Sequence, residues 1–198
     1  SLRPEQLAAA KKLRWIHSPA AAVHQLMIPE LVSSDIILTN SRDVHGPVVA
    51  EHAIALLLAL AKRLPAAVRL QTRHTWGQKA LWDEHPRPRE VASSTLCLVG
   101  LGSIGREVAI RAAALGMRVL ALREHPEKGF GCELLPAQGG AHAVFASGEL
   151  DRVLPQADYV LLAAPLTPKT SALMNAARFA RMKREAYLIN VARGALVD

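Results

Sequence analysis

The glycine-rich run at residues 100–105 constrains the fold of this chain more than any other feature. It has the sequence GLGSIG and directly follows an apolar run at residues 95–99 that predicts a strand. Residues 106–115 continue with a helical pattern that ends at Gly116. Glycines at this spacing between a strand and a helix are typical of a turn that binds the pyrophosphate of a dinucleotide, whereas a glycine-rich turn that binds nothing fits this context less well.

Each glycine of the run is expected to have a different steric role. Gly100 permits the tight turn, Gly102 lets a pyrophosphate approach the backbone without meeting a Cβ, and Gly105 lets the helix pack closely on the strand. The unpaired N–H groups and the dipole at the start of the helix favour an anion. The run therefore predicts NAD or NADP as the cofactor.

Strand and helix patterns alternate from residue 93 to the end of the chain. Alternation of this kind predicts an α/β fold with a doubly wound parallel sheet, here a Rossmann NAD(P)-binding domain. The predicted strands are residues 95–99, 117–122, 143–145, 159–163 and 186–191. The predicted helices are residues 103–115, 148–155 and 171–183.

The residues before the glycine run predict two further segments. Strands at 13–16 and 35–40 flank a helix predicted at 20–26, with Ser18 as its cap and Pro19 in its first turn, so this part reads as a βαβ unit with parallel strands. A long apolar helix from Pro47 to about Leu64 is expected to be buried between two bodies. Residues 65–90 predict a wrapping surface segment. The predicted divisions are residues 1–46, 47–92 and 93–198.

The composition excludes several classes of protein. Apolar residues make up 51% of the chain and charged residues 21%, which indicates a globular protein. The net charge is +7, but aromatic residues make up only 4%, so no stacking platform for nucleic acid is expected. The densest basic group is read as a solvated helix face and consists of Arg178, Arg181, Lys183 and Arg184.

Neither a metal site nor a membrane span is expected. The two cysteines, Cys97 and Cys132, lack the spacing of a zinc site or of a disulfide framework. The longest apolar run, residues 53–61, is too short to cross a bilayer. These observations favour a cytoplasmic protein.

The end of the strand at 117–122 bears on the choice between NAD and NADP. An acidic residue at this position accepts from the ribose 2′-hydroxyl of NAD, and an arginine accommodates the 2′-phosphate of NADP. Arg123 stands here, which favours NADP. Glu124 follows and could take the hydroxyl role or repel a phosphate, so NAD stays open.

Arg193 follows the last predicted strand. The carboxyl ends of parallel strands face the ligand crevice of an open α/β sheet. A guanidinium there can hold a substrate carboxylate with two hydrogen bonds and polarise the adjacent keto oxygen. A solvent-facing arginine at a strand end is the alternative reading.

Four segments of the chain together resemble the D-isomer-specific 2-hydroxyacid dehydrogenases, a family that includes phosphoglycerate, glyoxylate/hydroxypyruvate and D-lactate dehydrogenases. They are VAEH at 49–52, VGLGSIG at 99–105, APLTPKT at 164–170 and INVARG at 189–194. Their order and spacing match over essentially the whole chain. The family fold implies that residues 1–46 are the C-terminal part of the first segment of a flavodoxin-like substrate domain, and that a hinge near 43–47 leads into a linker helix.

The resemblance also implies site residues. Ser103 and Ile104 would contact the pyrophosphate, and Arg193 would be the catalytic arginine that binds substrate and lies beside the nicotinamide. The remaining cofactor-lining residues would be Ala164, Pro165, Thr170, Val191 and Ala192. Residues 21–24 resemble the segment whose backbone N–H groups hold the substrate carboxylate, so Ala22 and Val23 would bind substrate. The family usually has glycine where Ala22 stands and aspartate where His24 stands.

The implied activity is hydride transfer between the nicotinamide and a D-2-hydroxy acid or 2-oxo acid of the glyoxylate or hydroxypyruvate type. The family's catalytic histidine and glutamate are expected outside this chain, which lacks an initial Met and ends soon after Arg193. The chain is therefore expected to be truncated at both ends and to bind cofactor only. His52 is expected to be structural.

The resemblance implies a homodimer formed through the cofactor domain and the linker helix. An alternative function is an NAD(H)-sensing, co-repressor-like binding module of the same fold. A formate dehydrogenase is a third reading, for which no formate-specific side chain can be identified.

Overall fold

The computed structural model of the protein describes residues 2–20, 23, 25–41, 43–127 and 143–198. The chain divides into two compact units, Ser1–His45 and Gly46–Asp198.

The first unit is a short βαβ fragment. Its elements are helix α1 (Pro4–Ala9), strand β1 (Trp15–Ser18), helix α2 (Pro29–Val32) and strand β2 (Ile37–Asn40). The two strands pair in parallel, with Trp15 opposite Ile37 and Ser18 opposite Asn40. The parallel pairing predicted from the sequence is confirmed.

The helix predicted at residues 20–26 is wrong. Pro19 and Ala20 form a bend, Gln25 and Leu26 form a turn, and the helix between the strands begins at Pro29. Pro29 has the backbone angle of a first helical residue, and the residue before a proline is held extended. The helix also buries its leucine at position 31 to 4% exposure, which alanines at 20–22 cannot match.

The second unit contains the remaining elements. Its helices are α3 (Gly46–Ala61), α4 (Leu64–Gln71), α5 (Gln78–Asp83), α6 (Ser103–Ala114), α7 (Leu150–Val153) and α8 (Ala176–Phe179). Its strands are β3 (Thr95–Val99), β4 (Arg118–Arg123), β5 (Ala143–Ala146), β6 (Tyr159–Leu162) and β7 (Tyr187–Asn190). Single 3₁₀ turns flank α7 on both sides and follow β7.

The five strands of this unit form one parallel sheet in the order β5-β4-β3-β6-β7. The order reverses direction between β3 and β6, which is the switch point where open α/β sheets bind ligands. The predicted doubly wound parallel α/β fold is confirmed, and all five strands lie within two residues of their predicted positions.

Both faces of the sheet are covered by apolar side chains. Successive residues of β3 alternate between them, since Leu96 and Leu98 pack with α3 and α6, while Cys97 and Val99 pack with α7 and the segment beyond β6. Every residue of β3 is buried. A central strand covered on both faces fixes the position of the loop that follows it, which is the glycine run.

The long helix predicted from Pro47 to about Leu64 ends at Ala61 instead. Pro65 lacks the N–H group that would bond to the carbonyl of Ala61, so the helix cannot continue. The N–H group of Arg89 donates to that carbonyl at 2.9 Å, and Arg63 turns the chain with a φ of 54°. Helix α3 has 16 residues, and no helix in the described part of the chain is long and apolar enough to cross a membrane.

The segment between α5 and β3 is attached to the sheet by Arg89. Its guanidinium lies 4.8 Å from the ring centre of Tyr159 and 4.9 Å from that of Tyr187. Its Nε donates to the hydroxyl of Tyr159 at 3.1 Å, and its terminal nitrogen donates to the carbonyl of Glu185 at 2.9 Å. One side chain therefore connects the wrapping segment to the amino ends of β6 and β7.

Replacing Arg89 with methionine is expected to lower the free energy of unfolding by about 1–3 kcal/mol, because cation–π contacts and two hydrogen bonds are lost together. Urea denaturation measures the change. Arg87→Met is the matched control, since Arg87 is exposed on the same segment. Its effect should stay within about 0.5 kcal/mol. Equal losses for the two variants would contradict the role given to Arg89.

The helix predicted at 171–183 is wrong for most of its length, because only Ala176–Phe179 is helical. Met174 is extended and fully buried, and it forms a parallel bridge with Val197. The side chain of Asn175 then accepts from the N–H of Arg178 at 3.1 Å and starts the short helix. Burial of Met174 and its pairing with Val197 outweigh the helical pattern that surrounds it.

Cys97 is expected to resist alkylation at pH 8 while the protein is folded. Burial raises the pKa of its thiol to about 12, so only about one thiol in ten thousand is ionised at that pH. Iodoacetamide labelling followed by peptide mass spectrometry tests this for Cys97 separately from Cys132, which lies outside the described residues. Labelling of Cys97 at the same rate in native buffer and in urea would contradict it.

Candidate functional site

The candidate site is the edge of the sheet where the parallel strands end. The loops after β3, β4, β6 and β7 all leave from this edge, because the strands run in one direction. Backbone hydrogen bonds extend the ladder into these loops. The N–H of Gly100 donates to Leu122, that of Ala163 to Val99, and that of Val191 to Leu162, at 2.8–3.2 Å.

Gly100 is required by the backbone. Its φ is +100°, a conformation that residues with a Cβ rarely adopt. A Cβ at this position would also lie 2.7 Å from the nitrogen of Ala164 and 2.8 Å from its Cα. The absence of a side chain therefore lets the loop after β6 lie directly against the glycine run.

The other two glycines have different surroundings. A Cβ on Gly105 would overlap the carbonyl oxygen of Gly100, so this glycine is needed for the fold. A Cβ on Gly102 would meet nothing within 4 Å, and its φ of −87° is ordinary for any residue. Folding alone does not require glycine at 102, whereas the approach of a ligand to the backbone would.

The start of α6 supplies hydrogen-bond donors. Gly102 precedes the helix, and its carbonyl accepts the N–H of Arg106 at 2.9 Å. The N–H groups of Ser103, Ile104 and Gly105 precede that bond and have no partner within the helix. This helix has 12 residues, so its dipole and its free donors favour an anion at the glycine run.

The loop after β6 carries three of the predicted cofactor-lining residues. Ala164 is buried beside Gly100, while Pro165 is exposed. The Thr170 hydroxyl donates to the carbonyl of Pro165 at 2.6 Å and accepts from the N–H of Thr167 at 2.8 Å. Thr170 therefore stabilises the conformation of its own loop through these two hydrogen bonds.

The loop after β7 is fixed by Asn190, a residue that sequence reasoning missed. Its side-chain oxygen accepts from the N–H of Ala192 at 2.9 Å, and its side-chain nitrogen donates to the carbonyl of Arg193 at 2.8 Å. Val191 and Ala192 are half-buried, and Arg193 is exposed. An asparagine that ends a strand before a tight turn is the signal that could have indicated this role.

The end of β4 presents charges of both signs. Arg123 is the last residue of the strand and is half-buried, and Glu124 follows it. The ammonium of Lys169, from the loop after β6, donates to the Glu124 carboxylate at 2.6 Å. This hydrogen bond and the charge of Lys169 hold the pKa of Glu124 below its ordinary value, and Glu124 raises the pKa of Lys169. Both groups are therefore charged at neutral pH.

The structure places all twelve predicted cofactor-lining residues at this one edge of the sheet. They are Gly100, Gly102, Ser103, Ile104, Gly105, Arg123, Ala164, Pro165, Thr170, Val191, Ala192 and Arg193. Of the two predicted substrate-binding residues in the first unit, Val23 is half-buried, and Ala22 lies outside the described residues. Within the described ranges, no three His, Cys, Asp or Glu side chains are grouped so that they could hold a metal ion.

The basic group at 178–184 is largely ion-paired. Arg178 donates to Asp151 at 3.1 Å, and Arg181 lies 3.8 Å from the same carboxylate. Lys183 donates to Asp158 at 2.8 Å. These cations serve contacts within the unit rather than forming only a solvated face.

Comparison with known proteins gives one consistent family. A family model described as D-isomer specific 2-hydroxyacid dehydrogenase, NAD binding domain, matches residues 54–198. Over 196 residues the chain is 32% identical to a D-3-phosphoglycerate dehydrogenase of Synechocystis sp.. The matched region covers 97% of this chain and 32% of that protein. Over 197 residues it is 33% identical to a glyoxylate reductase of Pyrococcus furiosus, and this match covers 96% of this chain and 54% of that protein.

A solved structure supports the same assignment. The crystal structure of D-lactate dehydrogenase from Aquifex aeolicus, complexed with NAD and lactic acid, matches the fold with a TM-score of 0.80 at 29% identity. The match covers 100% of this chain and 55% of that one, so the chain spans about half the length of that relative. The glycine run, the sheet order and the family model agree, and the chain belongs to the D-isomer specific 2-hydroxyacid dehydrogenase family, with an NAD-binding domain at residues 54–198.

Proposed function

We propose that this chain is the cofactor-binding part of a dehydrogenase that interconverts a D-2-hydroxy acid and its 2-oxo acid, with glyoxylate or hydroxypyruvate as the type of substrate. The observation that carries the proposal is the open space at Gly102 beside the free donors of α6. Family membership and the names of the relatives support the reaction class.

The residues at the carboxyl edge fit a dinucleotide. The N–H groups of Ser103 and Ile104 would hold its pyrophosphate, and Gly102 would let that group reach the backbone. Ala164, Pro165 and Thr170 would line the loop after β6, and Val191 and Ala192 would lie beside the nicotinamide. When bound, the nicotinamide supplies or accepts the hydride.

Arg193 has the chemistry to hold the substrate. Its guanidinium can bind a carboxylate with two hydrogen bonds and polarise the neighbouring keto oxygen as charge develops there. Asn190 holds the backbone at Ala192 and Arg193, while the Arg193 guanidinium donates to the carbonyl of Ala192 at 2.7 Å and would leave that oxygen to bind the substrate. Val23 and Ala22 would donate backbone N–H groups to the carboxylate, with residues 1–46 acting as part of a substrate domain.

The chain is also proposed to accept NADP more readily than NAD. Arg123 ends β4, where a 2′-phosphate would gain a charge-assisted contact. The similar proteins from Synechocystis and Pyrococcus furiosus are named as enzymes, which does not favour the alternative of a co-repressor-like binding module. The cytoplasmic location expected from the sequence stays a prediction.

A homodimer through the cofactor domain is part of the proposal. Helices α3 and α4 carry exposed apolar side chains at Val48, Leu56, Leu64 and Val68. Apolar side chains at this density on two consecutive helices support a protein contact. Sedimentation velocity with Val68→Glu as the interface variant tests it, and a monomeric wild-type protein at micromolar concentration would contradict it.

The proposed reaction is tested with the full-length protein, NADPH or NADH, and a panel of 2-oxo acids. We expect oxidation of the reduced nicotinamide with glyoxylate or hydroxypyruvate, and the D-isomer of any chiral product. Turnover of neither substrate class, by a protein that binds the cofactor, would overturn the reaction and leave the binding site standing.

A further inference from the structure

The contact between Glu124 and Lys169 joins two loops across the strand that carries the glycine run. Strand β3 lies between β4 and β6 in the sheet, so the loops that follow β4 and β6 are two strand spacings apart, or about 10 Å. The long side chains of Glu124 and Lys169 cover that distance and meet at 2.6 Å. Any dinucleotide held at the glycine run would lie next to this pair.

The backbone that carries Lys169 is fixed while its side chain is exposed. Thr170 ties this turn to Pro165 and to Thr167. The Lys169 side chain is 81% exposed, and that of Glu124 is 58% exposed. An exposed ion pair contributes little to stability, so the ammonium can change partners easily when another anion arrives.

A ribose 2′-phosphate is the stronger partner for this ammonium. It carries about −1.5 to −2 charges at pH 7 and offers three acceptor oxygens, against one charge on a carboxylate. Arg123 directly precedes Glu124 at the end of β4, and Lys169 reaches the same carboxylate from the loop after β6. A 2′-phosphate would therefore offer Lys169 more charge and more acceptor oxygens than the Glu124 carboxylate does.

We propose that Lys169 is a cofactor-selecting residue, whose ammonium leaves the Glu124 carboxylate for the 2′-phosphate of NADP(H) and stays on Glu124 when NAD(H) is bound. The proposal rests on the dinucleotide site of the proposed function. Arg123 supplies the first cation for the phosphate from β4, and Lys169 supplies the second from the opposite loop. Before the cofactor binds, the ion pair with Glu124 keeps the Lys169 ammonium at the edge of the site.

The test is calorimetric titration of the wild-type chain and its variants with NADPH and with NADH. Lys169→Gln is expected to weaken NADPH binding about 10-fold, the lower end for a lost charge-assisted contact, and to change NADH binding less than about 2-fold. Glu124→Gln is expected to strengthen NADPH binding by about 3-fold or more, because it removes both a competitor and a repulsive charge. The affinity for adenosine 2′,5′-bisphosphate should change in each variant as the affinity for NADPH does. The affinity for adenosine 5′-monophosphate should change as the affinity for NADH does.

Lys183→Gln is the matched control, since Lys183 forms a similar pair with Asp158 at 2.8 Å before the amino end of β6. It should change neither affinity. If Lys169→Gln and Glu124→Gln weaken both cofactors equally, the pair only ties the two loops together and the inference is wrong. If neither variant changes either affinity, it is also wrong. Failure of the wild-type chain to bind either cofactor would instead overturn the proposed function, and this inference with it.

Discussion

Gly102→Ala is expected to leave the folded protein intact and to weaken dinucleotide binding by about 100-fold, or roughly 2.7 kcal/mol. A Cβ on this residue meets nothing within 4 Å, and its φ of −87° suits alanine. The methyl group would occupy the space that the pyrophosphate needs next to the donors of α6. Urea denaturation should give a free energy of unfolding within about 0.5 kcal/mol of the wild type. Calorimetric titration with NADPH and NADH gives the affinity.

Gly105→Ala is the matched comparison, because it makes the same chemical change three residues further on. Its Cβ would overlap the backbone oxygen of Gly100, which cannot move aside as a flexible side chain can. We expect a loss of about 3 kcal/mol or more in the free energy of unfolding, at the upper end for overpacking. If Gly102→Ala destabilises the protein as much as Gly105→Ala, or leaves cofactor binding unchanged, the separation of ligand-binding and structural glycines is wrong.

Arg193→Gln is expected to lower kcat/KM for the 2-oxo acid by about 1,000-fold in the full-length protein, comparable to the removal of a donor that stabilises developing charge. The guanidinium would both hold the carboxylate and polarise the keto oxygen, so KM should rise and kcat should fall. Arg193→Lys should recover only a small part of the activity, because an ammonium lacks the planar pair of donors.

The matched control for Arg193 is Arg184, at the other end of β7. Arg184 is exposed and precedes β7, whereas Arg193 follows it. Arg184→Gln should keep wild-type kcat and KM. Full activity of Arg193→Gln, or equal losses in the two variants, would contradict the role of Arg193 in substrate binding.

The sequence predicts those parts of the fold whose signal is local. The strand at 95–99, the glycine run and the helix at 103–114 follow one another without interruption, and each glycine has a distinct steric reason. The alternating pattern that predicts the sheet also follows from residues close together in the chain, since each strand is a short apolar run bounded by turn residues. Arg123 and Arg193 could be located because each follows such a run.

The remaining features depend on contacts between distant residues. Helix α3 ends at Ala61 because Pro65 cannot donate to it, but the replacement donor, Arg89, lies 28 positions further on. The helix predicted at 171–183 is interrupted because Met174 pairs with Val197. Glu124 and Lys169 are separated by 45 positions, and only the strand order brings them together. Local patterns carry no information on which distant partner a residue meets.

The most direct test of the central claim is calorimetric titration of the wild-type chain with NADPH and NADH, with urea denaturation beforehand to show that it is folded. The glycine run and the donors of α6 predict saturable binding of one dinucleotide per chain. The dissociation constant should be below about 100 μM, which corresponds to a binding free energy of roughly −5.5 kcal/mol. A folded chain that binds neither cofactor at millimolar concentration would contradict the assignment of this edge of the sheet as a dinucleotide site.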